Sequence, residues 1–371
     1  MKVVFVASFL NNHLLPLCLE LEKKTNFCFV ATEDRKDNSF NRGAIKKDFV
    51  LNYFEENNQD ECVQRVREAD VAIFGGSSAE LLKIRKETGK LSFVYTERFF
   101  KKGSWRRFIP STARILKKQF IENNKKLYVL CSGSFVSKDL KLLGFDADRC
   151  FSFGYFPLLE QKDIQELLWK KNNEIPKLLY VGRLLKLKRV DDVIKCCKML
   201  KNENIAFELN IVGDGPERGN LEELCKRYGL YNVHFLGAKS PSDVARFMAE
   251  SNALFFSSDR HEGWGAVVNE AMSNACPVIE SDACGSTAYI IRDGVNGYAY
   301  SCGNVKEMFE KTKLLLENYR SPDIYAGAYN TVKDEWNASV AAERFVKICD
   351  ELIQNKPITV YGTGPMSLER K

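Results

Sequence analysis

The stretch that decides the fold is A-L-F-F-S-S-D-R-H-E-G-W-G-A-V-V-N-E-A-M, residues 253–272. Its first four residues are all apolar and predict a strand, its glycines bracket a polar loop, and its last part predicts a helix. Units of this kind, an apolar strand followed by a helix, recur along the whole chain. Short apolar strands that alternate with helices are typical of a parallel sheet covered on both faces.

The recurring pattern predicts two α/β domains, each a doubly wound, Rossmann-like unit. In the first half, strands are predicted at Val3–Ala7, Phe27–Ala31, Val71–Phe74, Leu91–Tyr95 and Leu127–Cys131. In the second half, they are predicted at Leu178–Val181, Phe207–Val212, Val233–Leu236, Ala253–Phe256 and Pro277–Ile279. We expect an N-terminal domain over 1–155 and a C-terminal domain over 156–338, with Phe151–Lys177 as the linker between them. A helix over 339–355, able to cross back to the first domain, and a loose tail over 356–371 follow.

The composition excludes several classes of protein. With 371 residues, 45% of them hydrophobic, the chain can bury a large core and is not disordered. Its 12 cysteines contain no C-x-x-C pair, which favours reduced, buried thiols, and its three histidines lack metal-ligand spacing. The most apolar N-terminal run is too short to span a bilayer, so we expect a cytoplasmic protein.

Positive charge is concentrated in one window of the first half. Between residues 97 and 126 there are ten Lys or Arg against two acidic residues, with aromatic residues between the cations. Such a window suits an anionic surface, either a membrane or a polyanion. A solvated basic loop and helix face is the alternative.

Several polar loops follow the second-half strands, where an open α/β sheet binds its ligands. Arg183 and Lys188 come after Leu178–Val181 and suit a phosphate or diphosphate. In the loop after 253–256, seven residues separate Glu262 from Glu270, a carboxylate suited to a ribose diol. Each feature also has an ordinary explanation, since cations are common near helix starts and a helical Glu often forms a surface salt bridge.

Six motifs in order make the assignment more specific. They are K-L-L-Y-V-G-R-L, I-V-G-D-G-P, V-H-F-L-G, E-G-W-G-A-V-V-N-E-A-M, P-V-I-E-S-D and D-G-V-N-G-Y. From about Leu178 to Tyr300 the chain resembles the retaining glycosyltransferases of family 4. The resemblance implies the α/β GT-B fold, in which two Rossmann-like domains face each other across a cleft. It also implies transfer of a sugar from a nucleoside-diphosphate sugar to a hydroxyl group, with no cofactor.

The resemblance assigns donor-site roles to individual residues. Arg183 and Lys188 would neutralise the donor diphosphate, Glu262 would lie by the sugar, and Glu270 would bind the ribose. Further donor contacts are implied at Gly213, Gly237, Lys239, Gly263, Trp264, Gly265, Ala266 and Val267, with backbone amides up to Val268 meeting the phosphates. A UDP-sugar is favoured and a GDP-sugar is the other option. The resemblance implies that no metal is needed, and the absence of a D-x-D motif from the donor loops agrees.

The first half departs from the family's pattern. The glycine-rich loop after the first strand is replaced by S-F-L-N-N-H, residues 8–13, so Asn12 and His13 are candidates for acceptor binding. The usual histidine after the fourth strand is missing, and Glu97 is the candidate to act in its place, in acceptor binding and in catalysis. In the last donor loop the usual paired glycines appear as Cys284-Gly285.

The resemblance also suggests partners. The expected acceptor is a glycan or a polyprenyl-diphosphate-linked sugar in bacterial surface polysaccharide synthesis, reached from the inner face of the cell membrane. The predicted membrane contacts are Phe99, Phe100, Lys101, Lys102, Trp105, Arg106 and Arg107. A nucleic-acid partner is not expected, because it leaves the E-x7-E loop unexplained. The alternative function is a GT-B protein that binds sugar nucleotides but has lost turnover.

Overall fold

A computed structural model describes residues 1–34, 45–75, 79–101, 103, 105, 108–109, 126–158 and 160–369. The chain forms two compact units. The first comprises Met1–Leu158 together with Trp336–Lys371, and the second comprises Leu159–Glu335. Both ends of the chain therefore belong to the first unit.

The first unit contains a seven-stranded parallel sheet within its described residues. Its strands are β1 (Lys2–Ala7), β2 (Asn26–Ala31), β3 (Val50–Asn52), β4 (Val71–Gly75), β5 (Leu91–Thr96), β6 (Leu127–Ser132) and β7 (Cys150–Phe153). The spatial order is β3-β2-β1-β4-β5-β6-β7. The unit's helices are Leu15–Lys24, Gln59–Glu68, Ala79–Glu87, Phe135–Lys141 and Ala338–Ile353, and its 3₁₀ turns are Glu56–Asn58 and Ala147–Arg149.

The second unit contains a six-stranded parallel sheet within its described residues. Its strands are β8 (Lys177–Val181), β9 (Glu208–Val212), β10 (Val233–Gly237), β11 (Ala253–Phe256), β12 (Val278–Ser281) and β13 (Gly297–Tyr300), in the order β10-β9-β8-β11-β12-β13. The helices are Ile164–Lys170, Val190–Asn202, Arg218–Tyr228, Pro241–Glu250, Ala266–Met272, Thr287–Ile290, Val305–Glu317 and Asp323–Asn330, with a 3₁₀ turn at Lys186–Lys188 and a π-helical turn at Thr331–Glu335.

In both units, the position of a strand in the sheet explains how deeply its residues are buried. The central strands are buried on both faces, as in β11, where all four residues are buried. A strand covered on both faces must be apolar throughout, which is why these strands read as continuous hydrophobic runs rather than alternating ones. Successive strands are added toward one edge of the sheet up to β3 in the first unit and β10 in the second, and toward the other edge after that. The strand order therefore switches between β1 and β4 and between β8 and β11. The predicted fold class, α/β with two Rossmann-like units, is confirmed.

Two segments that the sequence predicts to be a linker and a loose tail have defined structure. The predicted linker starts inside β7, a fully buried strand that pairs with β6. The predicted loose tail is also fixed: the Met366 amide donates to the Ser152 carbonyl at 2.7 Å, and the Glu369 amide donates to the Cys150 carbonyl at 2.9 Å. The tail thus covers the edge of β7, whose backbone groups need partners at a sheet edge.

The C-terminal helix Ala338–Ile353 packs within the first unit, against the helix Leu15–Lys24 and β5. The ring of Phe345 lies 5.0 Å from that of Phe93, centroid to centroid. Its apolar face, seen in the sequence, is therefore buried by the sheet of the N-terminal half.

Candidate active site

Two oppositely charged residues meet where the strand order of the second sheet switches, between β8 and β11. Lys188 follows β8, Glu262 follows β11, and their side chains form an ion pair. About four fifths of each side chain is buried, with exposures of 18% for Lys188 and 19% for Glu262. The Ser258 hydroxyl donates to the same carboxylate oxygen of Glu262 at 3.0 Å. Loops at such a switch in strand order are where open α/β sheets bind ligands.

Backbone hydrogen bonds join these loops into one surface. The Asp259 amide donates to the Leu187 carbonyl at 2.9 Å, and the Ser257 hydroxyl donates to the Lys188 carbonyl at 2.7 Å. On the other side, the Gly285 amide donates to the Gly263 carbonyl at 3.0 Å. The loops after β8, β11 and β12 therefore hold one another, and Lys188 and Glu262 are positioned by both their side chains and their backbones.

Two glycines are required by close approaches in this surface. Gly213 has a φ of +134°, and a Cβ there would lie 1.9 Å from the Gly182 carbonyl oxygen. Gly265 has a φ of +97°, and a Cβ there would lie 2.4 Å from the Phe256 ring. Both positions exclude any larger residue, because a side chain would push apart loops that carry the charged groups.

The two other predicted charges lie on elements that adjoin these loops in the chain. Arg183, in the loop after β8, is exposed. Glu270 lies in the helix that begins at Ala266, the start that the sequence predicts. Burial raises the pKa of the Glu270 carboxyl. Within the described residues, neither the Arg183 guanidinium nor the Glu270 carboxylate has a hydrogen-bond or ion-pair partner, so both groups are available to a ligand.

The other predicted donor residues fall into two groups. Gly213 and Gly237 pair through a backbone bridge, and Lys239 is exposed just beyond it. Trp264 is a correction: its side chain is 0% exposed, and its indole N–H donates to Asn269 at 2.8 Å. A large aromatic ring gains more from burial in the core than from contact with a polar ligand, so the Trp264 side chain is not a donor contact.

The amides at this helix start need one further correction. The Val268 amide already donates to the Gly265 carbonyl at 3.0 Å, so it is not available to phosphates. The expectation for the amides thus narrows to Gly265, Ala266 and Val267.

A buried acid that was not among the predicted site residues lies beneath these loops. Glu280, on β12, is 0% exposed, and its Oε1 lies 2.5 Å from the Ser286 hydroxyl. That hydroxyl also lies 2.7 Å from the Trp264 carbonyl oxygen. The signal was present in P-V-I-E-S-D, where an acid interrupts an apolar strand predicted to be buried on both faces.

The predicted acceptor residues of the first unit meet through a tyrosine that the sequence did not single out. Tyr155, just after β7, donates its hydroxyl to Glu97 at 2.9 Å. The ring of His13 lies 5.5 Å from that of Tyr155, and Asn12 is exposed next to it in the chain. Asn11 shapes this loop, because its side chain accepts the amide of His13 at 3.0 Å. His13 and Glu97 thus flank one phenol.

Part of the predicted membrane surface is wrong. Phe100 is 1% exposed and lies in the core of the first unit, and Phe99 packs partly buried against the same cluster. The Asp139 carboxylate accepts both of their amides at 3.0 Å, which holds this segment against the sheet. Lys101 forms an ion pair with Glu97 at 2.5 Å. Aromatic rings beside cations therefore belong here to the fold, because the apolar core captures them first.

The rest of the predicted membrane surface has a different outcome. Trp105 is 61% exposed, and the neighbouring Phe108 is 72% exposed. Lys102, Arg106 and Arg107 lie outside the described residues. Among the helices that the structure describes, none combines the length and the apolar character needed to cross a bilayer. In the same part of the chain, no three His, Cys, Asp or Glu side chains are grouped so that they could hold a metal ion.

Comparison with known proteins agrees with this geometry. Residues 161–329 match the sequence model of the family described as Glycosyl transferases group 1. An uncharacterized glycosyltransferase of Methanocaldococcus jannaschii is 33% identical over 140 residues, 38% of either chain. The N,N'-diacetylbacillosaminyl-diphospho-undecaprenol alpha-1,3-N-acetylgalactosaminyltransferase of Campylobacter jejuni is 27% identical over 205 residues, 54% of this chain and 52% of that protein. The chain thus spans about two fifths to one half of the length of these curated relatives.

Solved structures extend the likeness to the whole fold. HepE of Anabaena, crystallised with UDP, superposes with a TM-score of 0.68 at 16% identity, covering 95% of this chain and 100% of that one. The segment 161–329, which carries Lys188, Glu262 and Glu270, matches the model of the group 1 glycosyl transferases. The predicted resemblance to this family is confirmed over that segment, and the GT-B class of fold is confirmed for the chain.

Proposed function

We propose that this protein is a retaining glycosyltransferase that moves a sugar from a nucleoside-diphosphate sugar to a hydroxyl of a glycan or a polyprenyl-diphosphate-linked acceptor. The observation that carries the proposal is the Lys188–Glu262 pair at the switch in strand order of the second sheet. It stands in a group 1 glycosyl transferase segment, with the unpartnered Arg183 and Glu270 in the adjoining loop and helix. UDP is the favoured nucleotide and GDP the second, an order supported by HepE, whose crystals contain UDP and, in another form, UDP-glucose.

The residues divide the work along the donor. Arg183 and Lys188 neutralise the diphosphate, on which negative charge grows as its bond to the anomeric carbon breaks. Glu262 lies by the sugar, and Glu270 accepts from the ribose hydroxyls. In the absence of donor, Lys188 and Glu262 compensate each other's charge. Binding of the diphosphate gives Lys188 a second anion to share and turns the Glu262 carboxylate toward the sugar.

The transfer step balances without a carboxylate pair of the glycosidase kind. The acceptor hydroxyl approaches the anomeric carbon on the face from which the diphosphate leaves. The bond from this carbon to the diphosphate oxygen breaks, the new glycosidic bond forms, and the hydroxyl proton passes to the departing phosphate oxygen. Configuration is therefore retained. The two protein cations supply the charge compensation, so we expect turnover to persist in EDTA.

The acceptor binds to the first unit, where His13, Tyr155 and Glu97 form one contact chain. A carboxylate and a phenol accept and donate the hydrogen bonds that sugar hydroxyls need, and aromatic rings pack against sugar rings. A lipid-diphosphate acceptor is supported by the Campylobacter relative, whose name states a diphospho-undecaprenol-linked substrate. Surface polysaccharide synthesis in a bacterium is the pathway class that fits such an acceptor.

Attachment to the inner face of the cell membrane rests on Trp105, Phe108 and the cations between residues 97 and 126. Both aromatic side chains are mostly exposed. Each cation near an anionic surface contributes about 1 kcal/mol, so a few of them suffice for reversible binding. The protein is then peripheral and cytoplasmic.

The decisive experiment for the enzyme is a donor panel. The purified chain is screened by thermal shift with UDP-, GDP- and ADP-sugars, and then assayed for donor hydrolysis and transfer. We expect stabilisation and turnover with a UDP-sugar. Binding without turnover would instead support the degenerate sugar-nucleotide-binding protein, and no binding of any nucleotide sugar would reject both functions.

The membrane proposal has a separate test, sedimentation with vesicles of phosphatidylglycerol and phosphatidylcholine. We expect binding that increases with the anionic lipid and falls several-fold in a Trp105→Ser, Phe108→Ser double variant. Trp169→Ser is the matched control, because Trp169 is 77% exposed on a helix of the second unit. Binding that ignores lipid charge, or equal losses in both variants, would contradict the proposal.

A further inference from the structure

The buried acid under the donor loops has an unusual hydrogen-bond count. The Ser286 hydroxyl contacts two oxygens, the Trp264 carbonyl at 2.7 Å and the Glu280 Oε1 at 2.5 Å. A hydroxyl has one proton, and a carbonyl oxygen can only accept. One proton cannot serve both contacts fully. If Ser286 donates to the Trp264 carbonyl, the proton in the other contact comes from Glu280, which is then a neutral carboxylic acid.

The surroundings of Glu280 agree with that count. Its other oxygen, Oε2, is buried and without a hydrogen-bond partner in the described structure, which is costly for a carboxylate and far less so for a neutral acid. The Thr287 hydroxyl cannot compensate fully, because it donates to the Ser281 carbonyl at 2.7 Å. The charge of Glu262 acts on Glu280 directly. Cys284 interacts electrostatically with Glu280, and also with Glu262, Lys188 and Cys302.

The contacts from Glu280 through Ser286 to Trp264 hold a bend in the chain at Trp264. This bend carries residues of the proposed donor site. Trp264 lies between Glu262 and the glycine at which the helix Ala266–Met272 begins. The same bend is tied on its other side by the Gly285 amide on the Gly263 carbonyl. Ser286 follows Gly285 in the chain, so its side-chain hydrogen bond to Trp264 adds to the backbone hydrogen bond of Gly285.

We propose that Glu280 is a positioning residue for the donor loop: as a neutral acid it donates to Ser286, which donates to Trp264 and so fixes the bend that presents Glu262. This inference rests on the proposed function for its effect on donor binding, but not for its protonation. When Glu280 ionises, Ser286 turns its proton to the carboxylate and the Trp264 carbonyl loses its donor. A buried negative charge then also faces Glu262.

The pH at which this happens follows from the environment. Its surroundings together raise the pKa of Glu280 from 4.5 to about 8: burial is the largest cause and the charge of Glu262 adds to it, whereas hydroxyl protons of Ser286 and Thr287 turned toward the carboxylate act in the opposite direction. The loop is therefore clamped at neutral pH and released in mildly alkaline solution. Donor affinity should fall over the same range.

The first test measures the dissociation constant of UDP by calorimetry from pH 6 to 9.5. We expect the wild type to lose about tenfold in affinity above pH 8, beyond the change seen in Glu280→Gln, whose amide keeps a donor for Ser286 at every pH. Ser286→Ala should bind weakly throughout and without this pH step. Glu310→Gln, on an exposed position of the helix Val305–Glu317, is the matched control and should follow the wild type.

The overturning outcomes are distinct. Glu280→Gln with the wild-type pH profile, or Glu280→Gln weakened at every pH as much as Glu280→Ala, would refute the positioning role. Failure of the wild type to bind any nucleotide would refute the proposed function instead.

A second readout needs no donor. Because the folded-state pKa of Glu280 is raised above its unfolded value, its contribution to the unfolding free energy is fully present below pH 4.5 and is lost as pH rises to about 8. In urea unfolding, the free-energy difference between wild type and Glu280→Gln should therefore shift steadily against the wild type across that window. Parallel curves for the two proteins would mean that Glu280 is not protonated when folded.

Discussion

At the scale of single residues, the site depends on a charge pair that is mostly withdrawn from water. Lys188 and Glu262 each keep less than a fifth of their side-chain surface exposed. In such surroundings the loss of one partner leaves the other charge uncompensated, which costs more than the pair itself contributes.

We expect Lys188→Ala to lower turnover about 100-fold, because a cation that meets growing charge on the leaving group contributes mainly in the transition state. The unfolding free energy should fall by about 1–3 kcal/mol, since Glu262 is left without its cation. Steady-state kinetics and urea unfolding measure the two effects. Lys186→Ala is the matched control, because Lys186 is exposed in the same 3₁₀ turn. Equal losses in both variants would contradict a specific role for Lys188.

A buried cation away from the site gives a pH prediction. Lys171 donates to the carbonyls of Met248 and Ser251, and burial lowers its pKa from 10.5 to about 8. The unfolded chain therefore binds this proton more tightly between pH 8 and 10.5, so the unfolding free energy rises with pH in that window. We expect Lys171→Met to lack this rise in urea unfolding while donor binding stays unchanged. A variant that keeps the full rise would show that Lys171 titrates normally.

At the scale of elements, tight turns at glycine residues bring the charged loops that follow the parallel strands together at one edge of the second sheet. The loop after β11 turns at Gly265, directly against the Phe256 ring. The loops after β8 and β9 touch at Gly213. The apolar strands could form without these glycines, but their loops would not reach one another.

Gly265→Ala should destabilise the second unit by about 2–4 kcal/mol, because the left-handed backbone and the clash with Phe256 add together. Gly219→Ala is the control for the same chemical change. Gly219 lies in the helix Arg218–Tyr228, and nothing lies within 4 Å of the position that a Cβ would take there. The Gly219→Ala substitution should therefore stabilise the protein slightly. Thermal unfolding compares the two. A Gly265→Ala variant as stable as the wild type would contradict the close approach.

At the scale of the whole molecule, two units with separate sheets share the proposed task. The donor residues Arg183, Lys188, Glu262 and Glu270 all lie in the second unit, and His13, Tyr155 and Glu97 lie in the first. Each unit brings its candidate residues to loops at the carboxyl edge of its own sheet.

Hydrogen–deuterium exchange with and without UDP tests this division. At 100 times its dissociation constant, UDP should add about 2.7 kcal/mol to the second unit. We expect slower exchange over 182–189 and 257–268, and no change over 8–14 in the first unit. The Lys188→Ala variant at the same UDP concentration is the control and should show much less protection. Protection confined to the first unit would contradict the assignment.

The sequence by itself was enough for the periodic parts of the molecule. Continuous apolar runs predicted β11 with the right bounds, and the helix after it was predicted to begin at Ala266, as it does. The resemblance carried by the ordered motifs also selected Lys188 and Glu262, which the structure pairs. These signals are local: a strand buried on both faces must be apolar, and a sharp loop before a helix needs glycine.

Only the tertiary structure decided which polar and aromatic residues meet. Phe100 was assigned to a membrane surface by its basic neighbours, but the core takes it. Tyr155 lies in no motif, and the motif P-V-I-E-S-D contains Glu280 without indicating its contacts, yet Tyr155 joins His13 to Glu97 and Glu280 lies beneath the bend at Trp264. Burial and proton sharing depend on partners that are far apart in the chain, and no local pattern contains that information.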